Sequence, residues 1–279
     1  MRKKSAHTVG LGEQSGVALF SRWNDFCGLR ELVLKKGDTD SIHDLRVASR
    51  RMRAAIGLFA PYLAPRAVKS SSKEFRRVTR ALGRLRNIDE ALIYAGSLSV
   101  PLPALAGQLS EAREEEMKVV VDVVKRFPRS RMDRMLREAV ADLMEDRKVD
   151  QALPVYLSET SIQRYQAVFE LLLPATIPEN VETRHALRIA IKKWRYLLEI
   201  LGQVCQKDYA AMLDTLKEYQ TLLGRLNDMV EFAGLCAALK LPRHEIEEIS
   251  AALDRDSASY LAQFIATVAS KPLQYTFIL

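Results

Sequence analysis

Apolar residues recur every three or four positions along most of the chain, and polar residues fill the positions between them. One such set comprises Leu45, Ala48, Met52, Ala55, Ile56 and Phe59. A second comprises Leu187, Ala190, Ile191, Trp194, Leu197, Leu198 and Leu201. An α-helix has 3.6 residues per turn, so this spacing places each set on one side of an amphipathic helix. The pattern therefore predicts an all-α protein.

Residues that begin and end helices divide this pattern into about ten predicted helices. In the first half these are 13–36, a helix from caps at Thr39, Asp40 and Ser41 to Pro61 or Pro65, 67–97 with a break near Gly83, a helix between Pro103 and Pro128, and 129–146. In the second half they are 155–173, 181–203, 207–224, 227–240 and 243–270. Residues 147–154 are predicted to join the halves, and residues 271–279 to form an extended tail.

Two sequence motifs occur once in each half of the chain. The first, here the His motif, reads HDLRVASRRMR from His43 and HALRIAIKKWR from His185, an offset of 142 residues. The second, here the Leu-Gly motif, reads LGRLRN from Leu82 and LGRLND from Leu223, an offset of 141 residues. The matching offsets predict duplication of a helical unit, with halves at about 12–150 and 151–279 in a single domain spanning 1–279.

The polar side of the His motif carries charge of one sign. On a helix, the histidine and the cations three, seven and ten positions later fall within about 80° of arc. Residues 43–86 contain twelve Lys and Arg but only two acids, Asp44 and Glu74, whereas the whole chain has a net charge of +7. Ion-paired helices carry acids four residues from their cations, whereas the basic side of residues 69–84 has Glu74 as its only acid and the helix of the first His motif has only Asp44. Such segregated positive charge favours a polyanionic ligand.

These motifs resemble those of the CHAD domain, an α-helical family named for its histidines. The family's second motif resembles Gly-x-x-Arg-Asp, from which both copies depart: Asn87 replaces Asp in the first, and Asn227 replaces Arg in the second. The resemblance extends from about residue 12 to about residue 270. It implies one compact domain of two pseudo-symmetric helical bundles. It also implies a basic central groove or pore that binds inorganic polyphosphate, without an established catalytic activity.

The candidate polyphosphate-binding residues come from both His motifs and from the helices that follow them. In the first half they are His43, Arg46, Arg50, Arg51, Arg53, Lys73, Arg76, Arg77, Arg80 and Arg84. In the second half they are His185, Arg188, Lys192, Lys193, Arg195 and Arg225. Arginine suits this ligand because its planar guanidinium binds phosphate oxygens bidentately. The second half has fewer cations, so we expect the first half to supply most of the positive field.

Two other functions use the same residues differently. A nucleic-acid-binding protein could place these cations on phosphodiester backbones, but single-strand binders interleave aromatic residues for base stacking, and this basic face has none. A triphosphate-hydrolysing enzyme would need acidic metal ligands. The sequence Glu114-x-Glu116-x-Lys118 resembles the CYTH triphosphatase signature, yet it falls within a predicted helix. We expect no catalytic residues, bound metal or cofactor.

The composition limits the cellular context. No apolar stretch approaches the roughly 18 residues that span a bilayer, so no membrane association is expected. Three widely spaced cysteines, Cys27, Cys205 and Cys236, indicate no disulfide framework. A cytoplasmic location is therefore expected. Association with polyphosphate granules, oligomeric state and preference for polyphosphate chain length are left open by the sequence.

Overall fold

The structure, a computed structural model, describes residues 10–275, and within that range it contains helices and no strands. The α-helices are α1 Leu11–Lys35, α2 Thr39–Phe59, α3 Pro65–Ser97, α4 Pro103–Lys125, α5 Arg129–Glu145, α6 Arg147–Leu172, α7 Val181–Val204, α8 Ala210–Ala237 and α9 Arg243–Ser270. Two short 3-10 helices, Ala60–Tyr62 and Pro174–Thr176, follow α2 and α6. The prediction of an all-α fold is confirmed. No helix in this range is long and apolar enough to cross a membrane.

Three predicted breaks, at Gly83, within α8 and at residues 147–154, are absent because buried residues continue through them. Helix α3 runs unbroken past Gly83, where Leu82 and Leu85 are both fully buried. Helix α8 is one helix where two were predicted, and buried residues continue through it at Leu223, Leu226 and Met229. One glycine costs a helix only about 1 kcal/mol relative to alanine, which the packing of these neighbours outweighs.

The predicted junction at residues 147–154 is also helical and forms the start of α6. The Asp146 side chain accepts a hydrogen bond from the Lys148 backbone N–H at 2.8 Å and so caps the helix. Pro154 lies inside α6 and removes one backbone hydrogen bond. Val149 and Leu153 are nevertheless buried against the core, which holds this turn in place. Packing against the core therefore determines where α6 begins, and the local sequence alone does not predict that packing.

The ends of the other helices follow the sequence more closely. Gly37 lies just beyond α1 with a φ of 62°, a left-handed conformation that favours glycine after a helix. The cap of α2 is Asp38, one residue before the predicted caps, and its carboxylate accepts from the Ser41 N–H at 2.8 Å. Residues 271–275 are not helical, as predicted, and the rest of the predicted tail lies outside the described residues.

The two His motifs lie on helices that touch at the middle of the molecule. Helix α2 packs between α1 and α3, while α7 packs between α6 and α8, and α2 also contacts α7 directly. Helix α4 packs on α3, and α9 packs on α8. Fully buried side chains such as Trp23, Phe75 and Trp194 fill one continuous core, each stabilising the fold by about 1.5–3 kcal/mol or more. Superposition of the two halves by a two-fold rotation stays a prediction.

Candidate functional site

Four cations from the two His motifs meet where α2 contacts α7. We call Arg46, Arg50, Arg188 and Lys192 the central cluster; the last two stand 142 residues after the first two. The apolar sides of both helices are buried in the core, and the electrostatic effects of Arg50, Arg188 and Arg46 on Lys192 place the four cations near one another. Lys192 is only 6% exposed, and the three arginines are half-buried. The two copies of the motif thus supply one shared site.

Burial and mutual repulsion disfavour positive charge in the central cluster. Burial, with contributions from Arg50 and Arg188, lowers the pKa of Lys192 to about 6. Burial and the neighbouring Arg50 likewise lower the pKa of Arg46 to about 10. The only acid among the largest influences on Lys192 is Asp228, which raises its pKa. An incoming anion would relieve this repulsion by supplying the negative charge that the protein does not.

Two guanidinium groups of the central cluster carry unused hydrogen-bond donors. The Nε atoms of Arg46 and Arg188, at equivalent places in the two motifs, are buried and have no acceptor among the described residues. A buried polar group left unsatisfied costs about 1–3 kcal/mol. An anion seated between α2 and α7 could accept from either donor. The arrangement is suited to binding an oxyanion.

The two histidines face the same position of the Leu-Gly motif in their own halves. His185 Nδ1 lies 2.8 Å from Asn227 Oδ1. His43 lies near Arg86, which occupies the place of Asn227 in the first copy, and burial followed by Arg86 and Arg46 lowers the pKa of His43. His43 therefore favours its neutral form at pH 7. The His185–Asn227 contact thus links α7 to α8, whereas His43 only lies beside Arg86 of α3.

Arg86 and Asp228 belong to this site, although sequence reasoning did not include them among the candidate residues. Arg86 forms an ion pair with Glu90, and burial lowers its pKa while Asp89 and Asp228 raise it. Burial raises the pKa of Asp228, against the opposing effects of Arg188 and other cations. The signal was present in the Leu-Gly motif: the first copy retains the family's Arg, the second retains its Asp, and the two interact electrostatically across the halves.

A second group of cations lines an open groove between α3 and α4. This basic groove has a volume of about 560 Å³ and is lined by Lys69, Ser72, Lys73, Arg76, Arg77, Arg80, Ala81, Arg84 and Val123. Arg77 pairs with Glu74 at 3.2 Å, and Arg84 pairs with Glu116 at 3.0 Å. The other four cations form no ion pair within residues 10–275. The groove therefore keeps a net positive lining.

Arg53 connects the basic groove to the central cluster. Burial lowers its pKa first, and Arg76 of the groove and Arg50 of the cluster lower it further. Such effects require the three guanidinium groups to lie near one another, because electrostatic interactions at an exposed surface fade over about 8–10 Å. Arg53 therefore lies between the cations of the central cluster and those of the basic groove, and we call these three groups together the band.

Besides the ion-paired Arg77 and Arg84, four candidate residues lie away from this band or close to acidic side chains. Arg51 pairs with Glu199 at 3.0 Å and lines a different groove, between α1 and α2. Arg195 pairs with the same carboxylate at 3.4 Å. Lys193 is exposed, and Arg225 lines a pocket that also contains acidic side chains. Arg51 and Lys193 stand eight positions after their histidines, about 100° around the helix from the preceding cation, so helix geometry turns both away from the cluster.

Comparisons with known proteins agree with this architecture. The family model for the CHAD domain matches residues 18–237. The crystal structure of the CHAD domain from the plant Ricinus communis superposes with a TM-score of 0.66 at 19% identity, covering 96% of this chain and 89% of that one. PptA from Streptomyces chartreusis gives a TM-score of 0.68 at 17% identity, covering 94% and 100%. At these identities the two structures establish similarity of fold alone. No curated protein sequence gives a significant match.

Proposed function

The chain belongs to the CHAD domain family, and we propose that it is a non-catalytic binding module for inorganic polyphosphate. The observation that carries the proposal is the central cluster, in which cations from both halves are buried beside unused hydrogen-bond donors. The family's association with polyphosphate binding supports it. A cytoplasmic location, with association with polyphosphate granules, forms part of the same proposal.

The ligand class follows from the arrangement of the cations. Polyphosphate is a flexible chain with about one negative charge per unit, and basic side chains one helical turn apart recur every 5.4 Å or so. The band from the central cluster through Arg53 to the basic groove presents cations in such a series. Guanidinium groups bind phosphate oxygens bidentately, and such charge-assisted hydrogen bonds are about twice as strong as neutral ones. A linear polyanion can therefore contact both regions at once.

Nucleic acid is the alternative ligand for the same surface, and the lining of the groove argues against it. Proteins that bind single strands stack bases on aromatic side chains, each worth about 1–3 kcal/mol. None of the residues lining the basic groove is aromatic. A nucleic acid would therefore gain only the electrostatic attraction between its phosphate backbone and these cations. Polyphosphate gains the same attraction and carries no bulky bases. We expect polyphosphate to bind more tightly than a nucleic acid of equal charge.

Titration of the purified protein with long-chain polyphosphate, single-stranded RNA and duplex DNA of matched charge tests the proposal. We expect the highest affinity for polyphosphate, with log K falling linearly with log salt concentration. Replacing Arg46 and Arg188 by Gln should weaken binding strongly. The control, Lys240→Gln with Arg243→Gln, removes the same charge from exposed positions outside the band and should have little effect. Tighter nucleic-acid binding, or equal losses in both variants, would overturn the proposal.

A separate assay tests the non-catalytic part of the proposal. The protein is incubated with long-chain polyphosphate, with and without Mg²⁺, and released orthophosphate and shortened chains are measured. We expect no release above that from polyphosphate alone. Release that scales with protein concentration and disappears in the Arg46/Arg188 variant would show that the site catalyses cleavage.

A further inference from the structure

A groove between α3 and α5 contains three arginines that lie outside the proposed site. This arginine groove has a volume of about 750 Å³ and is lined by Ala64, Arg66, Ala67, Ser130, Arg131, Arg134, Met135, Glu138, Ala139 and Asp142. Arg66, Arg131 and Arg134 are all exposed. Among the described residues, their guanidinium groups form one hydrogen bond, from Arg131 Nη2 to Ser70 Oγ at 3.2 Å.

These arginines lack acidic partners although acids lie close along α5. Glu138 and Asp142 line the same groove, and Glu138 stands four residues after Arg134, a spacing at which helical ion pairs commonly form. Elsewhere on this helix Arg137 pairs with Asp133 at 2.8 Å. Within residues 10–275, none of the three groove arginines has a carboxylate oxygen within 4.0 Å. Their positive charge is therefore available to a ligand.

The arginine groove continues the basic groove along the same helix. Arg66 precedes Lys69 by three residues on α3, and residues three or four apart lie on one side of a helix. Arg66 lines the arginine groove, and Lys69 lines the basic groove. From Arg66 to Arg84 the helix rises about 27 Å at 1.5 Å per residue. One extended ligand lying along α3 could pass from the first groove into the second.

We propose that the arginine groove is an additional subsite for the polyanion, occupied only by chains long enough to extend past Lys69 from the basic groove. This inference rests on the proposed function, since it assigns the far end of the same ligand. Guanidinium groups from α3 and α5 bind phosphate units of the chain from two sides. Glu138 and Asp142, which follow Arg134 along α5, repel the chain and so limit the length that the groove holds.

The physical consequence is an affinity that depends on chain length. A short ligand fills the central cluster and gains nothing from the arginine groove. A long ligand, once held at the cluster, reaches the groove at a high effective concentration, so each added contact mainly slows dissociation. Three more neutralised phosphates should also steepen the salt dependence by about 2 in the slope of log K against log salt concentration, by analogy with single-stranded nucleic acids.

The test compares two ligands and two triple variants of the full chain. The arginine-groove variant carries Arg66→Gln, Arg131→Gln and Arg134→Gln, and the control carries Lys240→Gln, Arg243→Gln and Arg255→Gln, all at exposed positions. The ligands are tripolyphosphate and long-chain polyphosphate, titrated at several salt concentrations. We expect the groove variant to lose at least tenfold in affinity for long chains and to bind tripolyphosphate as the unaltered protein does. The control should change affinity for both ligands by less than threefold.

Each of the other possible results contradicts one specific claim. Equal losses for both ligands would mean that the arginines act only through the general field. A loss for long chains no larger than that of the control would remove the subsite while leaving the central cluster intact. Failure of the unaltered protein to bind either ligand would instead contradict the proposed function. Thermal melts of both variants check the fold, and a second variant, Arg134→Gln alone, tests the subsite if the triple variant unfolds.

Discussion

The central cluster and the basic groove contain the same types of side chain in opposite environments. In the cluster, Lys192 is buried and burial lowers its pKa to about 6. In the groove, the cations are exposed, and two of them, Arg77 and Arg84, already form ion pairs with Glu74 and Glu116. The cluster draws on both halves of the chain, whereas the groove is formed by α3 and α4 alone.

This difference assigns the two regions different parts in binding. Cations in the cluster lost much of their hydration when the protein folded, so an anion there meets strong, weakly screened attraction. Exposed cations attract across water and salt, and each exposed pair contributes only about 0–1 kcal/mol. We therefore expect the cluster to determine how long the ligand stays and the groove to determine how fast it arrives.

The largest effect is expected from removing the two unsatisfied arginines of the cluster. Arg46→Gln with Arg188→Gln should weaken polyphosphate binding several-hundredfold, because charged hydrogen bonds contribute about 1.5–3 kcal/mol each. Surface-immobilised polyphosphate and time-resolved binding would show the loss as faster dissociation. Unfolding temperature should stay the same or rise, since two half-buried cations whose Nε atoms have no acceptor among the described residues are removed. A loss of affinity caused only by slower association would contradict the prediction that the cluster determines the dissociation rate.

A smaller effect is expected from the groove. Arg76→Gln with Arg80→Gln, both exposed and outside any ion pair of the described residues, should lower affinity about tenfold at low salt, mainly through slower association. The difference from the unaltered protein should shrink as salt is raised, because exposed charges are screened. If this pair instead accelerates dissociation as strongly as the cluster variant does, the two regions do not differ as described.

A third prediction concerns protons taken up on binding. Because the pKa of Lys192 is about 6, this side chain is mostly neutral at pH 8 in the free protein. A bound polyanion favours the ammonium form and raises that pKa, so binding should take up a proton and strengthen as the pH falls from 8 toward 6. Titration calorimetry in buffers of different ionisation enthalpy measures the uptake.

Two variants identify the group that takes up this proton. Lys192→Met should abolish most of the uptake near pH 7.5. His43→Gln should leave it nearly unchanged there, because the lowered pKa of His43 moves its titration to more acidic pH. Uptake that persists in the Lys192 variant and vanishes in the His43 variant would place the proton on the histidine.

The smallest effect is expected in the stability of the free protein. A lysine whose pKa is lower in the folded state than in the unfolded state costs stability fully below its folded pKa, and the cost declines as the pH rises toward 10.5. Lys192→Met should therefore raise the unfolding temperature more near pH 6 than near pH 9, as thermal melts at the two pH values would show. A larger gain at pH 9 than at pH 6 would contradict the sign of this effect.

The sequence predicted the helices well where periodicity alone decides and less well where packing decides. The His motifs lie on single helices as predicted, because their apolar and cationic sides are cleanly separated. The predicted helix breaks at Gly83, at residues 147–154 and within α8 were wrong. Glycine and proline favour a local break, but the packing of buried neighbours can outweigh that preference. Helix propensity is a weak guide at such points.

The candidate site was partly predictable for a similar reason. Repetition of the His motif identified Arg46 and Arg188 as equivalent, and both lie in the central cluster. The candidate set also included Arg51, although helix geometry places it about 100° from Arg50, and its ion pair with Glu199 shows that it lies on another side of α2. The electrostatic interaction of Asp228 with Arg86 depends on contact between the two halves. A local sequence pattern does not predict such a contact.

A structure of the protein with a short polyphosphate bound tests the assignment of the central cluster most directly. We expect density for the phosphate chain between α2 and α7, with oxygens accepting hydrogen bonds from the Nε atoms of Arg46 and Arg188 and lying beside Lys192. Density found only in the basic groove, or in the pocket beside Arg225, with both Nε atoms left without acceptors, would contradict it.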